Sequence, residues 1–162
     1  MKTVILLIMM ICCTSAGFLK SNSLKKRLHE TEGMQNLIKN TKSQISTFKR
    51  PLSDAIQMAA LPLGEYELPT AIAEHLKNSS DVNAVWHSLN TDMLTKSDVS
   101  VLDEFFALLG AGGQNDGIRL CTDTAERLYE SCRAAKEACE KKCTLYKSLG
   151  FLCGLLIVIL FV

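Results

Sequence analysis

Between residues 20 and 147 the apolar positions recur at helical intervals. Leu24, Leu28, Met34, Leu37, Ile38, Ile45 and Phe48 stand mostly three, four or seven apart. That spacing predicts one long first helix. Pro51 suits the first turn of a second helix, and Arg50 before it is pushed out of helical geometry. The second helix should run to about Ala60 and stop near Pro62, with Leu63-Gly64-Glu65 as a loop. Pro69 opens a third, short helix with Ile72 and Leu76 on one face, ended by Asn78-Ser79-Ser80. Asp81 is the expected N-cap of a fourth helix carrying Val82, Val85, Trp86 and Leu89. Ser97 or Asp98 should cap a fifth, with Val99, Leu102, Phe105, Phe106 and Leu109 facing inward and Gly110 as its stop. Residues 112–117, Gly-Gly-Gln-Asn-Asp-Gly, are the clearest hinge signal.

The last helix is predicted from about Ile118 to Tyr146. At 100° per residue Cys121, Ala125, Leu128, Cys132, Ala135, Cys139, Cys143 and Tyr146 form one stripe, opposite Asp123, Arg127, Glu130, Glu137 and Lys141. Ala, Leu, Glu and Lys dominate this part of the chain, which favours helix over strand. The expected fold is all-α, a bundle of about six helices.

Two uncharged apolar runs flank that bundle, residues 3–19 and 149–162. They predict membrane segments at 1–19 and 148–162 around a domain at 20–147. Two long helices that each continue into a membrane segment must enter side by side, which makes them antiparallel neighbours. Lys20, Lys25, Lys26 and Arg27 follow the first run; Lys136, Lys141, Lys142 and Lys147 precede the second. Cytoplasmic flanks collect such residues, so the bundle is expected in the cytosol. A competing reading treats Thr14-Ser15-Ala16 before Gly17 as a signal-peptide cleavage site, which would export the domain. The charge asymmetry argues against it.

The second run is short. As a helix, residues 149–162 cover about 21 Å against a hydrocarbon core of about 30 Å. Gly150 and Gly154 form a G-x-x-x-G pair on one face, and such pairs let two helix backbones approach closely. They are the expected packing site, with the 3–19 segment as one candidate neighbour.

The formal net charge of +1 gives no case for nucleic-acid binding. Of seven cysteines, Cys12, Cys13 and Cys153 fall in the apolar runs and the other four on one helix. Neighbours on a straight helix do not present the facing Cβ atoms a disulfide needs, so reduced thiols are expected. Cys139 and Cys143, one turn apart, could share a soft metal ion. Cys121 and Cys132 lie too far along the helix to join them, and buried cysteine packs well as a small apolar group. Core packing is the preferred reading, with no metal or other cofactor.

No catalytic signature stands out. Residues 110–117 lack the Gly-Lys-Ser/Thr ending of a phosphate loop and follow a helix, not a strand. His29, His75 and His87 form no zinc pair, and no serine sits in a G-x-S-x-G elbow. Trp86 reads as a buried anchor.

The terminal stretch Lys147-Ser148-Leu149-Gly150-Phe151-Leu152-x-Gly154-Leu155-Leu156 resembles the stage III sporulation protein AB family. Arg50-Pro51-Leu52, Trp86, the 102–106 cluster, Leu109-Gly110 and Asp116 also stand where that family has similar residues. The cysteines and Lys49-Arg50 depart from its pattern. The resemblance implies a helical bundle similar to the cytoplasmic domain of type II secretion platform proteins. It implies a non-enzymatic assembly role in the trans-envelope complex joining mother cell and forespore, in the mother-cell membrane around the forespore. The partners implied are other proteins of that complex, above all its secretion-type ATPase, and the membrane. Self-association into a homo-oligomer is left open. The alternatives are a platform component of another type II or pilus-like system, or a thiol or metal protein built on the cysteine stripe.

Overall fold

The computed structural model describes residues 2–109 and 114–161, and among the described residues it holds helices, turns and loops but no strand. The order is α1 (Lys2–Phe48), α2 (Leu52–Ala60), a 3-10 turn (Leu61–Leu63), α3 (Glu67–Leu76), α4 (Val82–Ser88), α5 (Lys96–Leu109) and α6 (Gln114–Phe161). The all-α expectation and the six helices therefore hold. The chain forms two compact units. Residues 29–133 make a bundle unit, and residues 1–28 with 134–162 make a helix-pair unit.

In the bundle unit α2 packs on α3, α3 on α4 and α4 on α5. Their apolar faces meet Met34, Leu37 and Ile38 of α1 and Leu128 of α6. Trp86 and Phe106 stack with ring centroids 4.9 Å apart, and Phe105 meets Phe106 edge-on at 5.1 Å. The Trp86 indole N–H donates to Asp103 Oδ1 at 2.5 Å, so the buried ring keeps its polar atom satisfied. The anchor role expected of Trp86 is the one it has.

Helix ends show where local signals sufficed and where they did not. Asp81 caps α4, its Oδ1 accepting from the amides of Asn83 (3.0 Å) and Ala84 (3.1 Å). Pro51 stands just ahead of α2 at φ −54° and ψ 149°. Lys49 takes φ 49°, the left-handed turn that ends α1. By contrast, α3 begins at Glu67, two residues before Pro69. The reason lies in α1: the buried Glu30 carboxylate accepts from the amides of Glu67 (3.1 Å) and Leu68 (2.9 Å). A carboxylate there satisfies two orphan donors and faces the positive end of the helix dipole. Pro69 then occupies the third position, where its missing amide costs nothing.

Helix α5 begins at Lys96, earlier than a cap at Ser97 or Asp98 would allow. Thr95 is the capping residue. Asp98 Oδ2 accepts from the Thr95 amide at 3.2 Å, and the Asp98 amide donates back to Thr95 Oγ1 at 3.4 Å. This is a reciprocal capping box. Asp98 is buried, and its other oxygen accepts from the Ser131 hydroxyl of α6. Helix α6 starts at Gln114 rather than Ile118, so Asn115, Asp116 and Gly117 are helical and the predicted hinge is shorter. Gly110, Gly112 and Gly113 lie outside the described residues.

One glycine is required by packing. A Cβ on Gly33 of α1 would stand 2.6 Å from ring atoms of Tyr66. The Tyr66 ring also stacks on His29 at 4.4 Å, and His29 Nε2 meets the Glu65 carbonyl at 3.1 Å. Burial, then the charge of Glu65, push the Tyr66 hydroxyl pKa up.

Among the described residues no helix is long and apolar enough to cross a membrane. The two uncharged runs form the outer ends of α1 and α6, where many side chains lie outside the described set.

Candidate functional site

The helix-pair unit contains the glycine pair, five of the seven cysteines and nine of the eighteen Lys and Arg residues. Its two helices meet through small side chains. Ser21 of α1 and Ala135, Cys139 and Cys143 of α6 are buried. The Cys143 thiol donates to the Ser21 carbonyl at 3.4 Å. Cys139 and Cys143 stand with their Sγ atoms 3.1 Å apart. Small residues at the seam allow close backbones, as in membrane helix pairs. The neighbouring Cys143 thiol, then burial, push the Cys139 pKa up, so Cys139 is a protonated, weakly nucleophilic thiol at neutral pH.

The cysteine stripe is thus a buried seam, but it is split. Cys121 and Cys132 are buried in the bundle unit, Cys139 and Cys143 in the helix-pair unit. Burial pushes the Cys121 thiol up to about 11. Among the described residues no three His, Cys, Asp or Glu side chains come together to hold a metal ion.

Outward, the helix-pair unit presents apolar side chains. Phe18, Leu19, Leu145, Leu149, Leu152, Leu156 and Ile159 are exposed, Leu19 at 70% and Ile159 at 69%. Scattered apolar residues on a surface need no explanation, but several close together on a helix end form an apolar patch of the kind that marks interaction surfaces. Gly150 and Gly154 both lie within α6. What they pack against lies outside the described residues.

Charge separates the units in a way the chain total conceals. Residues 1–28 and 134–162 hold nine Lys and Arg against two Glu, a net of +7. Residues 29–133 hold nine against fifteen Asp and Glu, a net of −6. The two nearly cancel, which is why the overall +1 reads as neutral.

The bundle unit offers concavities of modest size. A groove of about 440 Å³ between α1 and α6 is lined by Gln35, Lys39, Lys42, Ala125, Glu126 and Tyr129. Gln35 reaches across it to the Ala125 carbonyl at 3.5 Å. A second, of about 430 Å³, lies between α3 and α4, with Glu74, His75 and Ser79 on its walls. His29 is engaged by Tyr66 and the Glu65 carbonyl, while His75 and His87 are exposed.

No curated protein and no solved structure matches the chain. The family model described as stage III sporulation protein AB matches residues 2–162.

Proposed function

The chain belongs to the stage III sporulation protein AB family, and from that premise we propose that it is a non-enzymatic, membrane-anchored platform component of the complex between mother cell and forespore. The family sets the process, a sporulation stage. The anchoring part rests on the residues themselves. Two uncharged runs belong to one unit, and that unit carries the basic flanks. This pairing is the observation that carries the reading. A unit with apolar helix ends, small residues at its seam and a net charge of +7 suits a bilayer with its cytoplasmic face beside the lysines.

In this reading residues 3–19 and 149–162 lie in the mother-cell membrane around the forespore, and the bundle unit is cytosolic. The bundle is the part that engages the partners, a secretion-type ATPase foremost, in the manner of a type II secretion platform protein. Gly150 and Gly154 pack the shorter segment against another helix, since alone it barely spans. The thiols of α6 are apolar filler in this scheme, and no step of chemistry is assigned to them.

The test uses the full chain in mild detergent, taken from sporulating cells. It should resist carbonate extraction from membranes and co-purify with the ATPase in fixed ratio. Gly150→Leu with Gly154→Leu should cut that co-purification severalfold while the helical signal and melting of the bundle stay unchanged. A chain that washes off with carbonate ends the anchor reading. A chain that stays in the membrane without the ATPase ends the platform reading.

A further inference from the structure

We infer that the helix-pair unit carries a headgroup-binding collar for acidic phospholipids, beyond its role as an anchor. The inference rests on the anchor reading above and adds the class of lipid recognised. Sequence alone places basic residues after one apolar run and before the other. The structure gathers them into one band across two helices. The Cys143 thiol meets the Ser21 carbonyl at 3.4 Å, so their neighbours Lys142 and Lys20 stand at the same height on opposite helices. About one turn further from the apolar ends, Lys25 and Cys139 each stand four residues, about 6 Å of helix rise, beyond that contact. That sets Lys25 and Lys26 level with the stretch of α6 that carries Lys136 and Lys141.

All six lysines are exposed. Across residues 20–28 and 134–147 the acidic side chains are Glu137 and Glu140 alone. Lys25 follows the end of the first apolar run by about 9 Å of helix rise. The second helix places Lys142 about 10 Å before Leu149 on the same rise. Both lie within roughly one Debye length of a bilayer surface at physiological salt. A lysine so placed strengthens association with an anionic leaflet by about fivefold. Lysine suits the task because its ammonium is a flexible point charge that follows mobile phosphates. A topology signal would need only an excess of basic residues near the segments; lysines from both helices within one band about 9 Å deep form a binding surface.

The test places the full chain in nanodiscs of phosphatidylcholine doped with spin-labelled phosphatidylglycerol or spin-labelled phosphatidylcholine. The labelled phosphatidylglycerol should associate at least about fivefold more strongly at 50 mM salt. The preference should shrink towards unity at 1 M salt. The variant Lys25→Gln, Lys26→Gln, Lys141→Gln, Lys142→Gln should lose most of the preference while remaining in the disc. Equal association of the two lipids by the wild-type chain overturns the collar and leaves the anchor standing. A preference that survives the four substitutions overturns the collar as well. A chain that enters neither disc overturns both readings.

Discussion

The two units solve the burial problem with different materials. The bundle unit fills its interior with Trp86, Phe105, Phe106, Leu102 and Ile72, large side chains that each remove much apolar area from water. The helix-pair unit closes on Ser21, Ala135, Cys139 and Cys143, which are small, and turns its large apolar residues outward. One unit carries a net charge of −6, the other +7. Among its described residues the helix pair shows a small-residue seam and an exposed apolar exterior. The contrast separates a unit with a large aromatic and aliphatic core from one whose exposed apolar side chains we propose meet a bilayer.

The sharpest way to break the contrast is to hollow the bundle. Trp86→Ala should destabilise the bundle by about 4 kcal/mol in urea melts, because it leaves a cavity beside Phe106 and unpairs Asp103. Loss of under 1 kcal/mol would mean the aromatic cluster is not what holds the bundle together. Gly33→Val comes next, at about 3 kcal/mol, since its Cβ would enter the Tyr66 ring. The same melts read it, and a compensating Tyr66→Ala should recover part of the loss.

A pH series addresses the buried thiols. The Cys121 pKa is raised from 9.0 to about 11 in the folded chain. The stability it contributes is complete below pH 9 and is lost as pH rises from about 9 through 11, because the unfolded thiol ionises first. The loss reaches about 2 kcal/mol at the alkaline end. Cys121→Ala should remove that alkaline slope, measured against wild type so that the lysines cancel. An unchanged slope would show that the thiol is hydrated.

The seam of the helix pair should be far more forgiving. Cys139→Ala trims one small group and should cost about 1 kcal/mol. A cost near that of Trp86→Ala would erase the distinction between the units. Smallest of all, Lys49→Gly should stabilise the chain by about 0.5 kcal/mol, since glycine takes the left-handed φ of 49° without strain.

Much of this was readable in the chain. Helical periodicity found all six helices, and the Asp81 cap was visible because the cap and the amides it serves are neighbours. The cysteine stripe was visible as a face for the same reason, although its division between two units was not. The Thr95 capping box was also local, spelled Thr-x-x-Asp, and a stricter search for that pattern would have placed the start of α5. Glu30 could not have been read as the cap of α3, because 37 residues separate it from Glu67. Nor could Gly33 have been singled out, because its necessity comes from the Tyr66 ring folded against it. The family motif around Gly150 and Gly154 was legible, and the family it resembles is the one whose model matches.

What the sequence determined by itself was therefore everything carried by short spacing. That covers the all-α class, the number of helices, the uncharged ends and the family. The tertiary structure alone decided which residues far apart in the chain share a unit. That division turned a net charge of +1 into +7 and −6, set Lys20 level with Lys142, and gave α3 its cap from α1. The physical reason is range. Backbone propensity and periodicity act over a few residues and are written in order along the chain. Electrostatics and packing act over a few ångströms in space, and only folding brings those neighbours together.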